Sequence, residues 1–387
     1  MAFNEAQKRA IRHTDGPALV LAGPGSGKTT VITNRVRYLT EKVGVEPGNI
    51  LVITFTRAAA REMKERYERI TGTGCSRVSF GTFHSVFFMI LKLAYRYQAS
   101  NIVKEEQRIQ FIREQLDHTD LEIEDEGEFI ASVLSEISLI KGELMSLDNY
   151  YAKSCSQTVF KELYEGYEGC LRKQGLLDFD DMLAMCYELF KERKDILLAW
   201  QRKYKYILID EFQDINRIQY EIIKMLALPE NNLFIVGDDD QSIYRFRGAR
   251  PELMLGFEKD YSDAERILLD VNYRCVDPVI ESAGKLIACN KTRFPKEIRG
   301  NRGKGCPVFI KEWPDPLTET KAITEELRDY HKMGIAYEDM AVLYRTNQGP
   351  RLLIERMMEY NIPFHMRDTV PNLYEHWISR NVFCYIY

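Results

Sequence analysis

Twelve residues, Ala18-Leu-Val-Leu-Ala-Gly-Pro-Gly-Ser-Gly-Lys-Thr29, constrain this chain more than any other stretch. Ala18 to Ala22 is a short apolar run, glycines follow at 23, 25 and 27, and residues 28–42 have helical character. A strand, a glycine-rich turn and a helix in that order make a cradle for phosphate. Glycine lets consecutive backbone N–H groups point inward, and the helix N-terminus adds partial positive charge. Ala22, Gly23, Pro24, Gly25, Ser26, Gly27, Lys28, Thr29 and Thr30 are the candidate cradle. Lys28 is expected to reach the β- and γ-phosphates of a nucleotide such as ATP, and the Thr29 hydroxyl to bind Mg²⁺. The first position is Ala22 where the strict pattern has Gly, but strand, glycines, Lys-Thr and helix agree.

A nucleotide triphosphatase also needs a carboxylate pair at the end of another strand. Ile207-Leu-Ile-Asp210-Glu211 supplies one, with Asp210 expected on Mg²⁺ and Glu211 expected to take a proton from the attacking water. Alone, such a pair reads as a surface turn; beside the cradle it reads as catalytic. Gln241, after the apolar run 233–237, is placed to orient water or γ-phosphate. Arg274, after the run 267–271, is placed to act as an arginine finger within the same chain.

The first 85 residues alternate strand and helix patterns, which argues for a parallel α/β sheet. Residues 88–190 carry helix-length periodic segments at 105–116, 128–140, 158–173 and 179–193, and read as a helical insertion. Its acid-rich stretch, 120–128, reads as a solvated loop or a helix start, not a metal site. The α/β rhythm returns at Tyr206. Residues 291–304 hold six basic residues against one acid and read as an exposed basic connection. A second α/β pattern follows, with apolar runs at 307–310 and 340–345 and helices at 352–360 and 374–387.

Composition narrows the class further. The chain of 387 residues is 45% hydrophobic and 29% charged, which excludes collagen-like, disordered and disulfide-dense chains. A net charge of −5 means that any basic groove for nucleic acid is local. No apolar run approaches the roughly 18 residues of a membrane helix, and the N-terminus lacks a signal pattern, so the expectation is a cytoplasmic protein with no membrane partner. Eight cysteines without a Cys-x-x-Cys pair read as reduced thiols.

Several segments together resemble the UvrD/PcrA/Rep helicases of superfamily one. Residues 3–7, Phe-Asn-Glu-Ala-Gln, resemble the segment whose glutamine reads adenine, and 50–63 resemble motif Ia. Gly81-Thr-Phe-His-Ser85 resembles the short motif that follows. Residues 209–214, 236–249 and 272–274 resemble motifs II, III and IV. Residues 342–347 and 355–367 resemble the start of a second motor domain. The resemblance implies an α/β, RecA-like P-loop NTPase: an ATP-driven motor on single-stranded DNA, or on duplex with a single-stranded tail, moving 3′ to 5′ and working with DNA-repair proteins. It assigns 1–87 and 191–278 to the first motor domain, 88–190 to the inserted subdomain, and 279–387 to an incomplete second RecA-like domain.

By the same resemblance, Gln7, Arg35, Tyr273 and Arg274 join the ATP-binding set, with Tyr273 stacked on adenine. Phe55, Thr56, Arg57, Thr82, His84, Tyr244, Phe246 and Arg247 are expected to line the DNA track. The residue types suit that task, because sequence-blind binding of single strands needs aromatic platforms for bases and donors for phosphates. Motif III departs from the usual family pattern at three places, with Asp239 for Ala, Arg245 for Gly and Phe246 for Trp. The family's two later motifs do not occur before Tyr387. The expectation is therefore the N-terminal part of a helicase, binding nucleotide but hydrolysing it slowly and unwinding poorly by itself. The alternatives are the motor of a helicase–nuclease related to AddA or RecB, and a catalytically silent module that binds ATP and DNA.

Overall fold

The computed structural model describes residues 3–366 except 73, 75, 118, 120, 246–247 and 347–348, together with 382 and 384–385. Its centre is a six-stranded sheet of β1 (Ala18–Ala22), β2 (Ile50–Thr54), β3 (Ser79–Thr82), β4 (Tyr206–Ile209), β5 (Leu233–Gly237) and β6 (Glu265–Leu269). All neighbours pair in parallel, in the order β3-β2-β4-β5-β1-β6. Parallel strands covered on both faces need apolar residues at every position. The four central strands β2, β4, β5 and β1 are buried throughout, which is why each stood out as an unbroken apolar run.

Side chains alternate between two cores, as the period of two requires. Leu19, Leu21, Leu51, Ile53, Ile207, Ile209, Leu233 and Ile235 face one core. Val20, Ile50, Val52, Leu208, Phe234 and Val236 face the other, under the helices Glu5–Arg12, Lys28–Tyr38 and Arg57–Thr71. Each such aliphatic side chain contributes about 1.5–3 kcal/mol on burial. The result is a stiff platform whose strands all end at one edge, where ligands bind in parallel α/β sheets.

The helical insertion has its own core, from Val103 and Phe111 through Ile130, Ile137 and Phe160 to Leu171. The helix that reaches the boundary expected at 190 packs against the sheet. In the helix Phe179–Glu192, the residues Met182, Leu183, Cys186, Leu189 and Phe190 pack with Phe87 and Ile90 in the sheet's core. The acid-rich stretch leads into the helix Glu126–Gly142, whose first turn is capped by Asp125. Carboxylates there favour the helix N-terminus.

Two compact units make up the chain, Met1–Pro307 and Val308–Tyr387, and residues 279–307 pack with the first. The reason is a short parallel pair, β7 (Val271–Asn272) with β8 (Arg299–Gly300), and the bond from Asp277 N to Gly303 O at 3.0 Å. In the second unit the helices Pro316–Lys332 and Arg351–Glu359 pack together. The apolar runs 307–310 and 340–345 are irregular, not strands. Among the described residues neither run has a strand partner for its backbone groups, and Ile310 and Leu343 remain 91% and 94% exposed. The helix expected at 374–387 lies almost wholly outside the described residues. Among the described residues no helix is long and apolar enough to cross a membrane.

Candidate nucleotide site and adjoining aromatic pair

Residues 23–27 leave β1 and turn into the helix Lys28–Tyr38. Gly25 and Gly27 hold φ at +67° and +86°, a region glycine enters at little cost. A Cβ on Gly25 would stand 2.7 Å from both Arg274 Cβ and Asn272 Oδ1. The helix has no side-chain cap, so its first N–H groups stay available to an anion. Ser26 Oγ is buried and unpartnered, as is Asp210 Oδ1. Buried oxygens of this kind take a partner from outside the chain, such as water, an ion or a ligand.

Parallel pairing puts the ends of β1, β5 and β4 side by side. Lys28 Nζ donates to Glu211 Oε2 at 2.6 Å, and Gln213 Nε2 donates to the same oxygen at 2.9 Å. Glu211 sits in the left-handed region at φ +52°, a strained conformation for a non-glycine residue. Burial, then the charge of Glu211, pushes the Asp210 carboxyl up to about 7, with Lys28 opposing. A buried carboxyl with one free oxygen, beside the Thr29 hydroxyl in the same cavity, fits a hard divalent cation such as Mg²⁺. Gln241 lies in that cavity too, its Nε2 bonded to Asp238 Oδ2 at 2.7 Å.

The other expected nucleotide residues divide. Tyr273 N donates to Gly25 O at 3.0 Å, and the exposed Arg274 flanks the same turn. Thr30 stands in the first turn of the helix, its hydroxyl accepting from Arg66 Nη1 at 3.2 Å. Gln7 reaches the cradle but spends its amide there. Its Nε2 donates to Ser26 O at 3.0 Å and its Oε1 accepts from Asn4 N at 3.1 Å, so it braces the loop. Asn4 Nδ2 in turn donates to the Tyr273 hydroxyl at 3.0 Å. Arg35 is a correction. Two turns down the helix, it is buried with its guanidinium 4.2 Å from the Phe234 ring and Nη2 on Thr14 O, near the opposite ends of the strands. It belongs to the core beneath the sheet and not to the phosphate site.

Beside the nucleotide residues, Phe55 and Tyr244 stack with ring centroids 5.4 Å apart and planes 18° from parallel. Both line the cavity, of about 350 Å³, that also holds Thr29, Asp210, Glu211 and Gln241. Arg57 is exposed at the start of its helix, and Thr56 caps that helix by accepting from Ala59 N at 3.1 Å. His84 packs edge-on against Phe179, and burial followed by the charge of Arg57 lowers its pKa. Thr82 is the second correction. It is buried and its hydroxyl caps the helix Phe83–Tyr95 through Ser85 N at 3.3 Å, so it shapes the turn and does not face a track. Arg245 pairs with Glu252 at the surface. Phe246 and Arg247 lie outside the described residues.

The basic stretch 291–304 is exposed at Lys291, Arg299, Arg302 and Lys304, as expected, but Arg293, Phe294, Lys296 and Ile298 turn in against this site. Lys296 is 1% exposed among Asp238, Asp239 and Asp240, and a Cβ on Gly23 would collide with Ile298. Gln213, Asp214, Arg293 and Lys296 were missed in the sequence. Only Gln213 and Asp214 carried a signal, as the last two residues of motif II. Burial, then Glu211, pushes Asp214 up to about 6, and its Oδ1 has no partner. Elsewhere, Glu168, Asp178 and Asp181 come close enough to hold a cation, but the Lys141 ammonium already sits on all three at 2.5–2.9 Å.

Comparison with known proteins agrees with this geometry. The UvrD/REP helicase N-terminal domain matches residues 3–262, and the UvrD-like helicase C-terminal domain matches 267–387. The chain belongs to the UvrD/REP helicase family. It is 39% identical over 394 residues to a putative ATP-dependent DNA helicase, YjcD, of Bacillus subtilis, covering 100% of this chain and 52% of that protein. Against the ATP-dependent DNA helicase PcrA of Staphylococcus aureus it is 36% identical over 372 residues, covering 94% and 50%. A probable DNA helicase II homolog of Mycoplasma capricolum is 35% identical over 372 residues, covering 94% and 52%. The chain thus spans about half the length of these curated relatives.

Proposed function

We propose that this chain is an ATP-hydrolysing motor that acts on single-stranded DNA in the 3′ to 5′ direction. The observation that carries the reading is the shared cavity: Thr29, Asp210, Glu211 and Gln241 line one part of it, and the stacked pair Phe55 and Tyr244 another. Relatives named as ATP-dependent DNA helicases support the same assignment.

The chemistry follows from the placement of each side chain. The amides of the turn and Lys28 hold the phosphates, and Thr29 with Asp210 would hold Mg²⁺. That cation would neutralise charge on the phosphate oxygens. Glu211 takes the proton of the attacking water once Lys28 has moved from it to the γ-phosphate. Gln241, which Asp238 holds, orients the water or the γ-phosphate. Tyr244 is three residues along the chain from Gln241, so a shift at the phosphate is passed to the stacking pair. A base entering between or beside the two rings gains a sequence-tolerant platform, with Arg57 and His84 nearby for the backbone.

The test is phosphate release with and without single-stranded DNA, for the parent chain, Lys28→Ala and Glu211→Gln. Stimulated turnover in the parent and a loss of about 100-fold or more in each variant is the expected result. Retention of stimulated turnover by both variants would refute the assignment. Displacement of streptavidin from 3′- and 5′-biotinylated strands reads the direction.

A further inference from the structure

The acid triad Asp238-Asp239-Asp240 of motif III meets a cation that no reading of the nucleotide site required. Lys296 Nζ lies 2.5 Å from Asp238 Oδ1, 2.5 Å from Asp239 Oδ1 and 3.0 Å from Asp240 Oδ2. Arg293 makes a two-pronged pair with Asp240 at 2.7 Å and 2.7 Å, and Phe294 N donates to Asp239 Oδ2 at 2.8 Å. The side chains of Lys296, Asp238 and Asp239 are at most 2% exposed. Burial alone would lower the lysine's pKa, but its pairing with Asp238 and Asp239 overcomes this and raises it.

The contacts continue inward from Asp238. Its second oxygen accepts from Gln241 Nε2 at 2.7 Å, which fixes which way that amide faces. Its backbone N donates to Gln213 Oε1 at 3.0 Å, and Gln213 Nε2 donates to Glu211 Oε2 at 2.9 Å, the oxygen that also accepts from Lys28. An unbroken chain of polar contacts therefore runs from Lys296 through Asp238 to both Gln241 and Lys28. Removing the ammonium would leave three carboxylates in one turn against Arg293 alone, and like charges at that separation repel strongly when desolvated. Ile298 against Gly23 and the pairing of β7 with β8 keep this segment on the phosphate loop.

We propose that Lys296 is a positioning residue for γ-phosphate recognition, which sets Gln241 through Asp238. This rests on the nucleotide reading above and adds to it a residue outside the loop and the carboxylate pair. Asp239, where the family pattern usually has Ala, enlarges the lysine's seat but has no bond to Gln241.

The measurement is the ratio of dissociation constants for ADP and for the non-hydrolysed analogue ATPγS, by displacement of a fluorescent nucleotide from the full chain with Mg²⁺. The parent is expected to prefer ATPγS. Lys296→Met is expected to reduce that preference by about tenfold while ADP affinity changes less than about threefold, and Gln241→Ala to reduce it as much. Lys296→Arg, which keeps the charge, is expected to recover most of the preference, and Asp239→Ala to leave it near the parent's. If Lys296→Met does not fold, Lys296→Met with Asp239→Ala keeps the net charge of the cluster, and the same loss is expected there. An unchanged preference in the folded variant overturns the inference, as does a proportional fall in both affinities, which a purely structural role would give. A parent chain that binds neither nucleotide, or does not distinguish them, removes the site reading itself and this inference with it.

Discussion

Lys28 Nζ is bound to Glu211 Oε2 at 2.6 Å, so the cation that should grip a γ-phosphate is paired with the carboxylate that should activate water. The pair joins the end of β1 to the end of β4 across 183 positions of sequence. Each partner holds the other away from its task until a phosphate competes for the lysine. Three donors on one ammonium make the exchange possible without a large movement.

This arrangement predicts that nucleotide binding and hydrolysis separate cleanly. Glu211→Gln removes the charge that Lys28 must leave, so ATPγS should bind at least as tightly as to the parent, although turnover is lost. Lys28→Ala should lose affinity as well as turnover. Titration with a fluorescent nucleotide decides it, and a Glu211→Gln variant that binds more than about tenfold weaker would contradict the exchange.

The stacked rings of Phe55 and Tyr244 predict a different separation. Truncating a base-stacking aromatic costs about 1–3 kcal/mol per base, or about 5- to 150-fold in affinity. Phe55→Ala and Tyr244→Ala should each weaken binding of an oligothymidine strand within that range and leave ADP affinity unchanged. Phe55→Trp should retain binding. Anisotropy of a labelled strand measures both. Unaltered DNA affinity in the two alanine variants would move the track elsewhere.

Lys141 is the predicted weak point of the insertion. Its side chain is 5% exposed and pairs with Glu168, Asp178 and Asp181 at once. Lys141→Met should destabilise the chain by about 3–5 kcal/mol in urea unfolding, because it strands buried carboxylates. The pH arm concerns Asp181, which burial, then the charge of Asp178, pushes up from 3.8 to about 7 against the pull of Lys141. Between those values the folded chain keeps a proton that the unfolded chain releases, so this group's contribution to stability falls as pH rises through the window. Asp181→Asn removes that loss. Its stability relative to the parent should therefore improve from pH 5 to pH 8, and a difference that is flat or reversed would refute the assignment.

How much of this was legible follows from the range of the forces involved. The cradle and the carboxylate pair could be read because each sits at the end of a wholly buried parallel strand, where local pattern and tertiary burial coincide. Arg35 and Thr82 lie close to the site motifs in sequence but not at the site in space. Two helix turns carry Arg35 away from the phosphates, and Thr82 uses its hydroxyl as a cap. Lys296 could not be read at all. A basic run signals solvent, since lysine is almost never buried unless paired, and its partners are more than 50 positions away. The runs 307–310 and 340–345 failed in the opposite sense. β-branched and aromatic residues suit a strand, but a strand exists only where another pairs with it.

Glycine offers a test of the cradle in which conformation and contact can be separated. Gly16 and Gly25 both hold positive φ, at +83° and +67°, and an L-residue there costs about 1–2 kcal/mol. Nothing lies within 4 Å of a Cβ on Gly16, whereas one on Gly25 meets Arg274 Cβ and Asn272 Oδ1 at 2.7 Å. Asn272 Oδ1 also accepts from the backbone N–H groups of Arg274 and Cys275, at 2.8 Å each, so pushing it aside disturbs the segment that carries Tyr273 and Arg274. Gly16→Ala should lower stability by the conformational cost and leave ADP affinity within about twofold. Gly25→Ala should lose a further increment of stability and about tenfold or more in ADP affinity. Urea unfolding and nucleotide titration on the two variants measure both quantities. Equal nucleotide affinities would mean that the turn at 23–27 and the segment at 272–274 do not act on the nucleotide together.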